Sequence, residues 1–310
     1  MKSRILFIGG TPRGYELLKL LFKLNQDVVF AYIMQEDSHE KVKASSAIRK
    51  ICKENRIPLR ICKKINTESA KRVLRLKPDV AFVCGWRTLI PPLLYKRIPF
   101  GCIAAHDSLL PKYRGFAPLN WAIINGEKQT GVTLFKISDA GVDAGEIFKQ
   151  KCVEIGSGET ASEVYPKIID TTLELYKEFL SALWKNALRW QAQDESHASY
   201  TCKRTPEDGR IDWNKPATDI FNLIRALSPP YPCAWTSHNG KKIRIIKASL
   251  PKKQLMYAGN IPGRIVSISE EGVIVLCGKG QIILQNIMTP SNKCVEANNF
   301  FSSVTTTLGK

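Results

Sequence analysis

The stretch GCIAAHDSLLPKYRGFAPLNW, residues 101–121, opens as a short apolar strand and continues into a rigid turn. The run Gly101 to Ala105 is typical of a buried strand, and Pro111 and Gly115 interrupt regular structure after it. In sheets of parallel strands, ligands bind beyond the carboxyl ends of the strands. We therefore expect the side chains that follow Ala105 to carry the chemistry of an α/β fold.

Toward the N-terminus, short β-branched runs alternate with amphipathic helical patterns. This alternation predicts a mainly parallel, Rossmann-like sheet covered by helices on both faces. The predicted strands are Arg4–Gly9, Asp27–Ile33, Ile57–Cys62, Asp79–Cys84 and Gly101–Ala105, and the predicted helices are Gly14–Leu24, Lys41–Glu54, Glu68–Leu76 and Thr160–Lys185.

The C-terminal third has a different pattern. The polar stretch Gln191 to Ser199 is predicted to be a linker, and short strands separated by glycine or lysine turns follow it. Such strands are typical of a small β-rich, OB-like barrel. We therefore predict an N-terminal catalytic domain, residues 1–190, and a C-terminal domain, residues 200–310. The predicted C-terminal strands are Lys242–Ala248, Gly263–Ser269, Gly272–Cys277 and Gln281–Met288.

Charge, hydrophobic runs and cysteine content indicate which partners and which cellular compartment to expect. The formal net charge of +18 favours anionic partners, either nucleic acid or small molecules with phosphates or carboxylates. The apolar run Ile5 to Ile8 is too short for a signal peptide or a membrane span, so we expect a cytoplasmic protein without a membrane partner. Nine scattered cysteines without a CxxC pair favour reduced thiols over disulfides or a metal site.

A glycine-rich turn, Gly9-Gly10-Thr11-Pro12-Arg13-Gly14, follows the first predicted strand. Its spacing is not GxGxxG, and no acidic residue ends the second strand in the expected way, so a dinucleotide site is disfavoured. A tight strand-to-helix turn is the simplest interpretation. A second interpretation is that Arg13 and the helix N-terminus face an anionic substrate.

His106 and Asp143 are the candidate catalytic pair. His106 ends an apolar strand and precedes a rigid turn, whereas the other three histidines lie in polar, loop-like contexts. Histidine titrates near neutral pH and is the usual proton carrier in catalysis. Asp143, in a loop flanked by glycines, is suited to orient the imidazole and to stabilise its charged form. A purely structural histidine is the alternative.

Residues 104–145 resemble the formyltransferase family, which includes methionyl-tRNA formyltransferases and the sugar N-formyltransferases of surface-polysaccharide synthesis, pseudaminic acid-type pathways among them. The resemblance extends from the first strand to about residue 240. The matching segments are HDSLLPKYRGFAPLNWAIINGE (106–127), TGVTLF (130–135), DAG (139–141), KRTPEDGRIDW (203–213) and IRALSPPYP (224–232).

The resemblance implies transfer of a formyl group from N10-formyltetrahydrofolate to an amine, without a metal. It implies that His106 takes the amine proton while Asp143 holds the ring. Family members often dimerise through the C-terminal domain, so the resemblance is compatible with a homodimer. The positions matching the family's folate contacts are Trp86, Arg87, Thr88, Leu89, Ser108, Leu109, Leu110, Pro111 and Asp139. The positions expected to contact the substrate are Gly10, Thr11, Pro12, Arg13, Arg114, Phe116 and Tyr231.

Ala104 departs from the family pattern. The family carries an asparagine two residues before the histidine, and its amide donates to the formyl oxygen as negative charge develops there. Alanine has no donor, and the loss of one such donor costs about 10²–10³ in rate. Since every other motif element is intact, a substituted, impaired chain is favoured over a natural variant that uses another donor.

The accepting amine is expected on a nucleotide-linked sugar, with transfer RNA as the alternative. The transfer-RNA enzymes carry a glycine- and arginine-rich insertion after the second strand, whereas Gln35 to Lys53 is predicted here as one continuous helix without glycine. Phe116 occupies a position where a related sugar enzyme has a substrate-binding arginine. The net charge of +18 is the best argument for transfer RNA.

Two functions of other classes stay open. One is a hydrolase that cleaves formyl-folate, which formate release without an amine acceptor would reveal. The other is a non-catalytic nucleic-acid-binding protein with a degenerate site, in view of Ala104 and the charge.

Overall fold

A computed structural model describes residues 2–36 and 43–310. The chain forms two compact units, and each unit is made of segments that are not continuous in sequence. The division into two domains, residues 1–190 and 200–310, stays a prediction. The first unit comprises Met1–Pro118, Thr130–Val153 and Pro166–Thr201, and the second comprises Leu119–Gln129, Glu154–Tyr165 and Cys202–Lys310.

A seven-stranded sheet is the framework of the first unit. The strands of this part of the chain are β1 (Arg4–Gly9), β2 (Asp27–Met34), β3 (Leu59–Cys62), β4 (Val80–Cys84), β5 (Cys102–His106), β6 (Arg114–Gly115), β7 (Gln129–Lys136), β8 (Ile147–Glu154) and β9 (Tyr200–Thr201). The order in the sheet is β3-β2-β1-β4-β5-β7-β8. Neighbours from β3 to β5 are parallel, and β7 pairs antiparallel with β5. The mainly parallel sheet expected from the sequence is therefore confirmed.

Seven helices lie within the described ranges, and four of them are close to their predicted positions. Helix α3 begins where the Asn66 side chain accepts a hydrogen bond from Ser69 N at 2.8 Å, which is a typical helix cap. The helices are α1 (Thr11–Lys23), α2 (Ser45–Glu54), α3 (Thr67–Leu74), α4 (Pro92–Arg97), α5 (Pro118–Ile124), α6 (Ala161–Trp184) and α7 (Ala217–Leu227). Within the described ranges, none of them is long and apolar enough to cross a membrane.

The start of α2 corrects one expectation. The helix begins at Ser45, because the Glu36 carboxylate accepts from the Ser45 amide at 2.8 Å and from its hydroxyl at 2.7 Å. Gln35 and Glu36 follow β2 without regular structure, so the predicted continuous helix from Gln35 to Lys53 is wrong. Residues 37–42 lie outside the described residues.

Tyr176 of α6 ties together the two strands that carry the site. Its fully buried hydroxyl lies 3.0 Å from Val83 O on β4 and 3.2 Å from Ile103 O on β5, so it donates to both strands. Burial raises the pKa of Tyr176 well above its ordinary value, which keeps the donor proton in place. The carboxyl ends of β4 and β5 are thereby held side by side.

The second unit is built on an antiparallel sheet, as the C-terminal pattern predicted. Its order is β10-β11-β14-β13-β12, with β15 paired to β14, for strands β10 (Ala234–His238), β11 (Lys241–Ser249), β12 (Ile265–Ser269), β13 (Gly272–Leu276), β14 (Gln281–Met288) and β15 (Cys294–Glu296). Helix α7 and strand β10 were not expected from the sequence.

Gly278 shows how tightly this unit is closed. Its amide lies 2.8 Å from Trp213 O and 3.0 Å from Lys215 O, and an added Cβ would overlap the carbonyl oxygen of Asn214. Gly259 has open space at its Cβ position. We predict that Gly278→Ala lowers the unfolding free energy by about 1–3 kcal/mol, the usual cost of forcing an extra methyl group into a packed site. Thermal unfolding measures this effect, and an equal loss in the control Gly259→Ala would contradict it.

Candidate functional site

The residues that follow three neighbouring strands lie at the same edge of the sheet. Strands β1, β4 and β5 are adjacent and parallel, so their carboxyl ends point the same way. The turn after β1 is fixed to the end of β4, since Gly10 N lies 3.1 Å from Cys84 O. The segments 10–13, 85–89 and 107–111 therefore meet at the edge where ligands bind in this type of sheet.

His106 and Asp143 come together at this edge. His106 Nδ1 lies 3.6 Å from Asp143 Oδ2, and both side chains are largely buried, with 10% and 20% exposed. His106 Nε2 lies 2.8 Å from Tyr113 O and donates to it, because a carbonyl oxygen only accepts. Asp143 Oδ2 in turn accepts from Gly115 N at 2.9 Å. The imidazole is thereby oriented with its Nδ1 atom toward the carboxylate.

Four residues of the turns at this edge have a left-handed backbone. Thr11, Tyr113, Ala117 and Asp143 all have φ between 49° and 62°, although none of them is glycine. Residues with a side chain pay about 1–3 kcal/mol for such conformations, and they cluster at functional sites. The turns at this edge are therefore held in conformations that cost energy.

The Thr133 side chain fixes the turn after β5 by hydrogen bonds. The fully buried Thr133 hydroxyl donates to Ser108 O at 2.6 Å and accepts from Leu110 N at 3.0 Å and from Gln150 Nε2 at 2.8 Å. Gln150 also donates to Leu110 O at 2.8 Å, and Ser108 Oγ donates to Lys112 O at 2.6 Å. The segment Ser108-Leu109-Leu110-Pro111, predicted to contact folate, is therefore a fixed turn.

The segment after β4 is more exposed to solvent than the turn after β5. Trp86 is half-buried, and its indole N–H finds no hydrogen-bond acceptor within the described part of the chain. Thr88 donates to Lys63 O at 3.1 Å, Leu89 is 73% exposed, and Arg87 is exposed as well. This arrangement leaves one unsatisfied donor beside an apolar surface.

Asp139 is tied to α4 rather than free. Tyr95 donates to Asp139 Oδ1 at 2.7 Å, and Lys96 Nζ lies 2.6 Å from Oδ2. Hydrogen bonds from Lys96 and then Tyr95 lower the pKa of Asp139, and the bond to Asp139 raises the pKa of Tyr95 to about 12. Asp139 therefore anchors the loop between β7 and β8, and only its exposed edge faces outward.

Two predicted substrate contacts are engaged within the protein. Arg114 is 1% exposed, and its guanidinium donates five hydrogen bonds, to Gln193, Glu195 and the Tyr200 hydroxyl. All five N–H groups of the Arg114 guanidinium are therefore engaged inside the first unit, and its role in binding substrate stays a prediction. Arg13 is buried and forms an ion pair with Asp107, so its charge is already balanced.

The remaining predicted residues have varied environments. Ala104 lies on β5 in the apolar core of the first unit, opposite Val83 and Phe135. Phe116 is 49% exposed and follows Gly115, which binds the Asp143 carboxylate. In the first turn, Pro12 opens α1, and the Thr11 hydroxyl is buried with no partner in the described ranges. Tyr231 belongs to the second unit, where its amide donates to Ser228 O at 3.1 Å.

Sequence reasoning missed the residues that support the pair. Gln193 and Glu195 lie in the stretch interpreted as a linker, and Tyr113 acts through its carbonyl oxygen, which no side-chain motif reveals. The stretch 191–199 contains no glycine or proline, a signal that argued against a flexible linker. In the described ranges, no group of three His, Cys, Asp or Glu side chains is arranged to hold a metal ion.

Comparison with known proteins matches both halves of the chain. The family model described as formyl transferase matches residues 1–180, and the model of the formyl transferase C-terminal domain matches residues 203–305. A methionyl-tRNA formyltransferase of Acetivibrio thermocellus is 30% identical over 295 residues, which cover 94% of this chain and 93% of that protein.

Solved structures with a similar fold include two sugar enzymes. The N-formyltransferase of Helicobacter canadensis, in complex with folinic acid and dTDP-3-aminofucose, has a TM-score of 0.72 at 22% identity, covering 92% of this chain and 99% of that one. WlaRD, a sugar 3N-formyltransferase with dTDP and 5-N-formyl-THF, has a TM-score of 0.68 at 20% identity, covering 92% and 98%. At 20–22% identity, these similarities show that the chain has the same fold and nothing about its substrate.

The Thr133 hydroxyl provides a test of the fixed turn. We predict that Thr133→Val lowers the unfolding free energy by about 1–3 kcal/mol, because Leu110 N–H and Ser108 O lose their buried partner. Thr133→Ser keeps the hydroxyl and is expected to retain most of this stability. Urea unfolding of the two variants measures the difference, and a Thr133→Val protein that is as stable as the parent would contradict the role of the hydroxyl.

Proposed function

This chain belongs to the formyl transferase family, and we propose that it transfers a formyl group from N10-formyltetrahydrofolate to the amine of a nucleotide-linked amino sugar. The observation that carries the proposal is the pairing of His106 Nδ1 with Asp143 Oδ2 at 3.6 Å. Two residues far apart in the sequence meet at the ligand-binding edge of the sheet, in a family defined by acyl transfer. The cytoplasmic location and the homodimer stay predictions.

The edge of the sheet fits a heteroaromatic formyl donor. The Trp86 indole N–H and the Thr11 hydroxyl are both buried without a partner in the described ranges, and buried polar groups of this kind call for a ligand or water. Trp86, the exposed Leu89 and the fixed Ser108–Pro111 turn would hold the donor. When bound, N10-formyltetrahydrofolate supplies an activated formyl group for transfer.

Proton transfer is the part of the chemistry that this chain's own residues perform. With Nε2 donating to Tyr113 O, the lone pair of His106 is on Nδ1, which is where a proton from the amine is accepted. The imidazolium that results is stabilised by the Asp143 carboxylate 3.6 Å away. Because the pair is largely buried, this attraction is screened by water less than at the surface. General base catalysis of this kind contributes about 10²–10⁴ in rate.

The surface beside the pair supports a sugar nucleotide as acceptor. Phe116 and Val142 are 49% and 54% exposed and adjoin Gly115 and Asp143, which are bonded to each other. An exposed ring next to a catalytic pair is suited to stack on a sugar or a base. The Helicobacter canadensis and WlaRD enzymes, which share the fold, are associated with dTDP sugars or dTDP.

Methionyl-tRNA is the second candidate acceptor. The Acetivibrio thermocellus enzyme is 30% identical over nearly the whole chain, and the net charge of +18 suits a polyanion. One argument against transfer RNA is weaker than the sequence suggested, because Gln35, Glu36, Lys43 and Ala44 are not helical. A formyl-transfer assay with purified protein, offering dTDP-amino sugars or initiator methionyl-tRNA, tests the choice. Turnover with transfer RNA alone would overturn the sugar proposal.

Position 104 provides the first test of the chemistry. We predict that Ala104→Asn raises formyl transfer by about 10²–10³, because its amide supplies the missing donor to the developing oxyanion. Steady-state kinetics with the donor and a nucleotide amino sugar measure the gain. Ala104→Leu, which has a similar volume without a donor, is the matched control, and thermal unfolding checks that the buried site tolerates both. A gain shared by Ala104→Leu, or none in Ala104→Asn, would contradict the proposal.

The imidazole provides the second test. In the Ala104→Asn background, we expect His106→Ala to reduce turnover by at least about 10²-fold, the lower range for a general base. Donor binding, followed by fluorescence titration, is expected to stay unchanged because the donor contacts lie on other residues. Retained turnover would show that the proton leaves by another route.

A further inference from the structure

We propose that Gln193 is a positioning residue that holds Asp143 in the geometry needed for proton transfer. The proposal rests on the proposed function for its catalytic meaning, but its structural part stands on the contacts of the first unit. Gln193 lies in a segment that we call the strap, residues 191–201, between α6 and the second unit. The strap was interpreted from sequence as a linker.

Both ends of the strap are fixed by backbone hydrogen bonds. At one end Gln191 and Ile147 exchange two bonds of 2.8 and 2.9 Å, which attaches the strap to the start of β8. At the other end β9 pairs in parallel with β6, and Ser199 O accepts from Arg114 N at 2.8 Å. The strap therefore crosses from the end of the Asp143 loop to the turn after His106.

The side-chain amide of Gln193 uses its full hydrogen-bonding capacity between these two attachments. Its Nε2 donates to Asp143 O at 2.8 Å and to Gly145 O at 2.7 Å. Its Oε1 accepts from Arg114 Nε at 3.1 Å and from Nη2 at 2.7 Å. Two donors and two acceptor sites are thus satisfied, which matches the capacity of an amide group.

Arg114 connects this amide to both members of the catalytic pair. The residue before it, Tyr113, accepts from His106 Nε2, and the residue after it, Gly115, donates to Asp143 Oδ2. Asp143 is therefore held twice, by its carboxylate through Gly115 and by its carbonyl through Gln193. One contact is made by the residue next to Arg114, and the other by a side chain that is bonded to Arg114. A shift of the strap is therefore expected to displace the carboxylate relative to the imidazole.

The remaining contacts explain why an amide is required. Glu195 receives two bonds from Arg114, at 2.8 and 2.6 Å, and this contact lowers the pKa of Glu195. The carboxylate of Glu195 thus balances the buried guanidinium without help from position 193. A glutamate at position 193 would accept from Arg114 but would repel the two carbonyl oxygens. A methionine would fill the space with neither function.

The test compares Gln193→Met with the matched control Gln191→Met, since Gln191 is exposed and is held by its backbone. In the Ala104→Asn background we expect Gln193→Met to lower kcat about 10- to 100-fold, as misplaced catalytic groups do, with KM for both substrates within about twofold. Gln191→Met is expected to leave kcat unchanged. Because Gln193 acts through Asp143, Gln193→Met is expected to add little to Asp143→Asn. Additive losses, or a rise in KM alone, would overturn the positioning role.

A readout without turnover keeps this proposal separate from the proposed function. The ring ¹⁵N resonances of His106, identified by their loss in His106→Ala, are expected to shift in Gln193→Met and in Asp143→Asn but not in Gln191→Met. Unchanged resonances in a folded Gln193→Met protein would overturn the proposal even if the enzyme is active. Shifted resonances in a chain that transfers no formyl group would leave the positioning intact and overturn only the proposed function.

Discussion

The short segment from Tyr113 to Gly115 is the point on which the site depends. Its first carbonyl holds the His106 ring, and its last amide holds the Asp143 carboxylate. Both bonds use backbone atoms, so the spacing of His106 and Asp143 is set by the conformation of three consecutive residues. That conformation is left-handed at Tyr113 and at Gly115, and the fully bonded Arg114 side chain fixes it. The turn therefore fixes the position of the His106 ring relative to the loop that carries Asp143.

Two buried arginines of the first unit form ion pairs with carboxylates of the same unit. Arg13 is paired with Asp107 and Arg114 with Glu195, so both are balanced inside the first unit. A buried charge is tolerated only when it is paired and hydrogen-bonded. Both residues were expected to contact the substrate, Arg13 because it lies at a helix N-terminus and Arg114 from the family resemblance. In this chain they hold the turns that carry the neighbouring residues.

The sequence predicted the elements whose signals are local. Strands β1, β2, β4 and β5 and the long helix α6 lie within a few residues of their predicted bounds, because periodicity and turn residues define them. His106 and Asp143 could be named because each follows a strand or lies in a glycine-flanked loop. Their support could not be predicted in this way. The contacts of Gln193 and Thr133 join segments distant in sequence, and the Tyr113 contact uses a backbone atom, so no residue pattern encodes it.

The strap also sets an order of events during synthesis. Strands β1 to β5 all lie before residue 107, so they leave the ribosome before the strap does. The β6–β9 pair, by contrast, is complete only when Tyr200 and Thr201 have emerged. A nascent chain that ends before the strap therefore lacks the β6–β9 pair and the Gln193 contacts with the Asp143 loop. The contacts that orient His106 and Asp143 are completed by the last residues of the first unit.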